Sequence, residues 1–250
     1  MNILITGASS GLGAALAKAY AAPGASLFLG GRNKERLEAV AEECRKSGAA
    51  AETEIVDVTD RAATEKWVLD CDDKKPLNLV IANAGISGGT GNRLGETADQ
   101  TRAIFSANLD GVLNSVLPVI PRMQGRKSGQ IALMASIAGF RGLPSAPAYC
   151  GSKAAVRVWG EGARLWLRRD GVGVSVICPG FVETAMTAAN KFPMPFMLKA
   201  DKAAEIMKRG IDANKSRIAF PWQLAFMVWL ITLLPPAWTD GFLAATPKKS

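Results

Sequence analysis

Short apolar runs alternate with longer helix-compatible segments along most of this 250-residue chain. Residues 2–6 (NILIT), 25–30 (ASLFLG), 51–56 (AETEIV), 78–82 (NLVIA), 130–135 (QIALMA) and 173–178 (GVSVIC) read as strands. Residues 12–22, 34–47, 97–122 and 148–169 read as helices between them. Strands and helices alternating at this spacing predict βαβ units and a parallel sheet covered on both faces. Right-handed crossovers make that an α/β, doubly wound, Rossmann-type sheet. A single catalytic domain is expected over residues 1–214. Residues 215–250 should add a C-terminal strand and an apolar helical extension to it.

In such a sheet, ligands bind beyond the carboxyl ends of the strands. That rule selects the segments TGASSGLG, GGRN, DVTD, NAG, ASIAG and PGFVET, each following a predicted strand. Within the first, GASSG has two incompatible readings. It is G-x-S-x-G, the elbow that presents a hydrolase serine, here Ser9. It is also a glycine-rich strand-to-helix turn that lets phosphates approach the backbone.

Composition separates the two. The chain contains no histidine, so a serine triad has no imidazole to take the Ser9 proton. Histidine metal sites and histidine general bases are excluded with it. Proton transfer must fall to Tyr, Lys, Cys or carboxylates. The four cysteines, Cys44, Cys71, Cys150 and Cys178, lie far apart without C-x-x-C spacing. They read as reduced, buried thiols of a cytoplasmic protein. No basic run precedes the first apolar stretch, so a secretory signal is not expected. The net charge of +8 is scattered and not interleaved with aromatics, which argues against nucleic acid and is compatible with an anionic cofactor or membrane surface.

Gly7, Gly11 and Gly13 follow a G-x-x-x-G-x-G spacing suited to a tight turn, room for pyrophosphate and an open helix N-terminus. After the second strand, an NAD-specific enzyme would often place an acid for the ribose. This chain has Gly31-Arg32, and an arginine there suits a 2′-phosphate. NADP(H) is therefore expected in preference to NAD(H). Tyr149 and Lys153 stand four residues apart, on one face of a helix. A neighbouring ammonium is expected to lower the phenol's pKa and make a proton donor. Ser136 follows the fifth strand, and Asn108 occupies a helix interior, where asparagine is mildly unfavourable. Taken singly, each of these residues also reads as an ordinary turn, surface pair or locally satisfied polar group.

Together they carry a resemblance. TGASSGLG, Asn83-Ala84-Gly85, Asn108, Ser136, Tyr149-x-x-x-Lys153 and Pro179-Gly180-x-x-x-Thr184 occur in the order and spacing of the short-chain dehydrogenase/reductase family. The resemblance covers roughly residues 1–190, and Ala82 replaces the first asparagine of the common N-N-A-G. It implies hydride transfer between NADP(H) and a carbonyl or alcohol. Tyr149 would be the general acid/base, with Lys153 lowering its pKa and holding the nicotinamide ribose. Ser136 would hold the substrate oxygen and Asn108 support a proton relay through water. The cofactor would lie against Gly7, Ser9, Ser10, Gly11, Leu12, Gly13, Asp57, Val58, Asn83, Ala84, Gly85, Pro179, Gly180, Val182 and Thr184. Asp57 and Val58 match the adenine positions, and Thr184 the position near the carboxamide. No metal is implied. Pairing of the helices at 97–122 and 148–169 across a two-fold axis would give a dimer or tetramer.

Two segments go beyond that pattern. Residues 184–200 contain Met186, Phe192, Met194, Phe196 and Met197, an apolar set suited to a substrate lid or to core packing, with the lid favoured. That points to an apolar carbonyl or alcohol substrate, lipid-, steroid- or ketoacyl-like. Residues 224–234 form an uninterrupted apolar run, too short to span a bilayer. It reads as a buried helix, a subunit interface, or a segment at a membrane surface, for which Trp222, Trp229, Trp238, Lys248 and Lys249 are suited. A different functional class is a non-catalytic, NADP-binding regulatory or scaffold protein of the same fold; the intact Asn108, Ser136, Tyr149 and Lys153 argue against it.

Overall fold

The computed structural model describes residues 1–90, 95–188 and 193–244. The chain alternates β1 (Asn2–Thr6), α1 (Gly11–Tyr20), β2 (Ser26–Gly31), α2 (Lys34–Lys46), β3 (Ala50–Ile55), α3 (Arg61–Lys74) and β4 (Leu79–Ala82). It continues through α4 (Ala98–Phe105), α5 (Gly111–Val116), α6 (Ile120–Gly125), β5 (Gly129–Met134), α7 (Pro147–Leu167) and β6 (Val172–Pro179). α8 (Ala185–Ala188), α9 (Ala200–Asp212), β7 (Arg217–Phe220), α10 (Trp222–Thr232) and α11 (Pro236–Ala244) complete it.

All seven strands are parallel, in the order β3-β2-β1-β4-β5-β6-β7. The order reverses direction beside β1 and β4, which opens a crevice between the loops that follow them. Alternate residues of each strand serve opposite faces. Ile3 and Ile5 join Leu27, Leu29, Leu16 of α1 and Met207 of α9 in one core. Leu4 and Phe28 join Val80, Trp67 of α3 and Val156 of α7 in the other. A strand covered on both faces has no polar side to alternate with, which is why the inner strands read as continuous apolar runs.

The expected strands are found within a residue or two of their predicted limits, and β7 extends the same sheet. The helices depart more. The stretch expected as one helix over 97–122 is broken: a π-helical turn occupies Ser106–Asp110, and residues 117–119 interrupt the path between α5 and α6. Pro118 and Pro121 explain the second break, since proline has no amide hydrogen to continue the ladder. The first helix ends at Tyr20, short of the expected residue 22. The helix expected to end at 169 tightens into a 3-10 turn over Arg168–Asp170.

Candidate active site

The carboxyl ends of β1, β2, β4, β5 and β6 surround one cleft of about 490 Å³. Of the residues expected to serve catalysis or the cofactor, all but Gly13 and Asn108 line it. Both lie directly behind it.

The turn after β1 adopts backbone that side chains resist. Gly7 and Gly11 have φ of +66° and +56°, in the left-handed region open to glycine. A Cβ on Gly7 would stand 2.8 Å from the Ala84 Cα. Gly13 faces inward, where a Cβ would meet the Gly7 carbonyl oxygen at 2.3 Å and the Asn83 amide at 2.5 Å. Gly13 therefore supports the cradle from behind. The N-termini of α2, α3 and α4 are capped by side chains of Asn33, Asp60 and Thr97. α1 is different: Ser10 makes no side-chain cap, and its first turn holds no acid. Its amide groups are left for an anion.

The crevice wall is tied together across β1 and β4. The Thr6 hydroxyl accepts from the backbone amides of Asn83 and Ala84, each at 3.1 Å. The Asn83 amide donates back to the carbonyls of Thr6 (2.9 Å) and Gly7 (3.2 Å). Ala82 is fully buried in the second core, so its replacement of asparagine leaves this turn intact. At the far end Arg32 is exposed, and its guanidinium stands 3.6 Å from Asp57. The backbone amide of Thr59 holds the Asp57 carboxyl below its usual range, helped by the Thr59 hydroxyl and Arg32. Arg36, in the first turn of α2, lines the same cleft; the sequence reading missed it.

Asn108 lies on the π-helical turn and is fully buried. Its carbonyl oxygen accepts from the Ile86 amide (2.7 Å), and its NH2 donates to the Ile86 carbonyl and the Ser152 hydroxyl, both at 3.0 Å. Ser152 in turn donates to the Tyr149 carbonyl at 2.8 Å. A π turn offsets one residue from the α-helical register, and here it carries the asparagine that joins the loop after β4 to the first turns of α7. Glu96 acts on the same helix: its carboxylate accepts from the Ala148 amide at 2.9 Å. Sequence pattern gave no sign of Glu96, because its partner lies 52 positions away.

Tyr149, Ser136 and Lys153 meet at the inner end of the cleft. The Ser136 hydroxyl contacts the phenol, accepts from the Ala138 amide (3.1 Å) and reaches the Pro179 carbonyl at 3.4 Å. Lys153 is buried; its ammonium donates to the Met134 carbonyl at 2.8 Å and lies 5.9 Å from the Tyr149 ring centre. Burial pushes the Tyr149 phenol up, against the opposing hydrogen bond from Ser136. The expected lowering by Lys153 is not found. Dehydration dominates both groups, and it brings Lys153 itself down to about 8.

That shift carries a pH dependence. The unfolded lysine keeps its proton to about pH 10.4, whereas the folded one releases it near pH 8. Between these values the unfolded lysine binds more protons, so this group alone makes stability rise with pH. The raised thiols of Cys44, Cys71 and Cys178 and phenols of Tyr20 and Tyr149 act in the opposite sense, keeping protons that the unfolded chain releases. Lys153→Met should therefore lose stability with rising pH more steeply than the wild type in denaturant titrations across that window.

Residues 181–183 pair with Leu198 through a β-bridge and backbone hydrogen bonds, fastening the base of the segment between. Met186 lines the cleft, and Met186, Phe196 and Met197 are exposed. These three add exposed apolar surface instead of core, with Met186 at the cleft; Phe192 lies outside the described residues. Thr187, missed in the sequence, donates to the Val182 carbonyl at 2.6 Å and accepts from the Thr184 amide at 2.9 Å. All four cysteines are buried, and none forms a disulfide. Among the described residues no group of three or more metal-ligating side chains gathers.

The family model for short chain dehydrogenases matches residues 1–193. The chain belongs to the short-chain dehydrogenase/reductase family. It is an oxidoreductase of that family with the family's Rossmann-like fold. An oxidoreductase of Myxococcus xanthus, named as uncharacterized, is 40% identical over 93% of this chain and 92% of its own length. An uncharacterized oxidoreductase of Mycobacterium tuberculosis is 34% identical over 96% of both chains. A short-chain dehydrogenase from Sphingobium yanoikuyae, solved in complex with NADPH, superposes with a TM-score of 0.82. It is 26% identical, over 100% of this chain and 97% of that one.

Proposed function

We propose that this short-chain dehydrogenase/reductase transfers hydride between NADP(H) and the carbonyl or alcohol carbon of an apolar substrate. One observation carries the reading: a single cleft joins a glycine cradle under an uncapped helix N-terminus to the Tyr149–Ser136–Lys153 group. The residues present fit a nicotinamide dinucleotide. The cradle is closed to any side chain at Gly7, and α1 offers its amides to the pyrophosphate. Arg32 and Arg36 stand at the adenosine end, where a 2′-phosphate would pair with them.

When bound, NADPH supplies the hydride for the substrate carbon. Ser136 orients the substrate oxygen by hydrogen bonding. Tyr149 donates its phenolic proton to that oxygen as the alcohol forms, acting as a positioned general acid. Lys153 favours the phenolate left behind and offers its ammonium to the cofactor ribose. Asn108 acts by position, fixing Ser152 and the Tyr149 turn; the relay implied by the resemblance would pass through water beside this group. Apolar chemistry is supported by Met186, which lines the cleft, and by exposed Phe196 and Met197 in the same segment. Pairing of subunits through the helices at 97–122 and 148–169, and a cytoplasmic location, belong to the same proposal.

Consumption of NADPH with a panel of apolar ketones and ketoacyl esters tests the reaction. Arg32→Ala should lower the preference for NADPH over NADH by roughly ten- to a hundredfold, the loss of about 1.5–3 kcal/mol from a charge-assisted hydrogen bond. Unchanged selectivity in that variant would remove Arg32 from the cofactor site.

A further inference from the structure

From Ile218 to Thr239 the chain carries no charged residue, and in this segment the buried-helix expectation fails. No residue of α10 is buried. Leu224, Ala225 and Val228 lean on the second core, while Trp222, Phe226, Trp229, Leu230, Leu233 and Trp238 turn outward with 46–75% of their surface exposed. Thr232 offers the outside little: its hydroxyl donates back to the Trp229 carbonyl at 2.6 Å. The segment lies beyond residues 1–193, which match the family model. A contiguous apolar surface of this kind marks an interaction site.

We infer that the outward face of α10 and the start of α11 rests in the interface of a negatively charged lipid membrane. An 11-residue helix is about 16 Å long, roughly half of what a bilayer core requires, so it lies in the interface and does not cross. Tryptophans at both ends and near the middle match the headgroup level that indoles prefer. A contact between protein copies would be expected to carry a polar rim with hydrogen bonds; the outward residues named above are all apolar or indole, and charge returns only at Asp240, which pairs with Arg141 at 2.8 Å. The net charge of +8, with Lys248 and Lys249 following the segment in sequence, complements anionic lipid.

The inward side of α10 adjoins the cleft. A Cβ on Gly180, a cleft residue, would stand 2.8 Å from a Leu224 methyl, and the Gly180 amide donates to the Phe220 carbonyl at 2.7 Å. A membrane seated here would bring an apolar substrate close to the opening. The inference itself rests on surface chemistry and does not depend on the catalytic reading.

Flotation of the purified full chain with vesicles of phosphatidylcholine and phosphatidylglycerol is the test. The wild type should float with the vesicles, and its tryptophan emission should shift to the blue. Phe226→Asp/Leu233→Asp should weaken partitioning by roughly tenfold or more, since each change withdraws a buried apolar side chain from lipid. Its sedimentation coefficient should be that of the wild type, with circular dichroism confirming the fold. No flotation of the wild type would overturn the inference. So would a loss of oligomeric mass in the double variant, which would assign the face to a second copy. If the double variant fails to fold, Trp238→Ser, at a site 75% exposed, must reduce flotation for the inference to stand.

Discussion

Tyr149→Phe will lower turnover by roughly 10²- to 10⁴-fold, the range supplied by a positioned general acid. The aromatic ring stays and packs as before, so the variant should fold with wild-type stability. NADPH affinity should change by less than about tenfold, because a single neutral hydrogen bond contributes about 0.5–1.5 kcal/mol. The two readouts separate chemistry from binding: a defect confined to kcat assigns proton transfer to the phenol, whereas matched losses in affinity would assign it a binding role. Activity close to wild type would remove Tyr149 from the mechanism. On this proposal the phenol supplies the acid–base group that a chain without histidine needs, with Ser136 in contact to orient it.

The second large effect concerns structure. Gly13→Ala places a methyl 2.3 Å from the Gly7 carbonyl and 2.5 Å from the Asn83 amide. Neither neighbour is the free end of a flexible chain. The Gly7 carbonyl belongs to the turn itself, and the Asn83 amide is held between Thr6 and Gly7. Relief requires moving α1 away from the turn, at about 1–3 kcal/mol for an overpacked site. For a domain of this size that corresponds to a fall in Tm of roughly 2–12 °C. Cofactor affinity should fall with it, because the same movement opens the anion site. A thermal melt with and without NADPH measures both. Unchanged Tm and unchanged affinity together would show that α1 does not need the close approach.

The fold was legible because its signals are local. Apolar runs closed by glycine turns located the strands, and the strand-end rule then selected the loops that line the cleft. Tyr149 and Lys153 were readable from i, i+4 spacing, and the absence of histidine decided how to read GASSG. Other features depend on distant partners and leave no local trace. The π turn at Ser106–Asp110 has the composition of an ordinary helix; what distinguishes it is Asn108 bonding Ile86 and Ser152. Glu96 capping the amide of Ala148 is of the same kind. The direction of the Tyr149 shift was misjudged for a physical reason: residue spacing reports the nearby ammonium but not the dehydration that outweighs it. α10 shows the limit of composition most plainly. An all-apolar helix reads alike whether it is covered or exposed, and only its position at the sheet edge beside β7 shows that it is exposed.

The central claim is that the cleft is a dinucleotide site selective for NADPH and coupled to Tyr149. Titration of the wild-type protein with NADPH and, separately, NADH, followed by nicotinamide fluorescence, tests it most directly. Tight, saturable NADPH binding with much weaker NADH binding is the predicted result. Binding of neither nucleotide would contradict the account and leave the fold to a scaffold role.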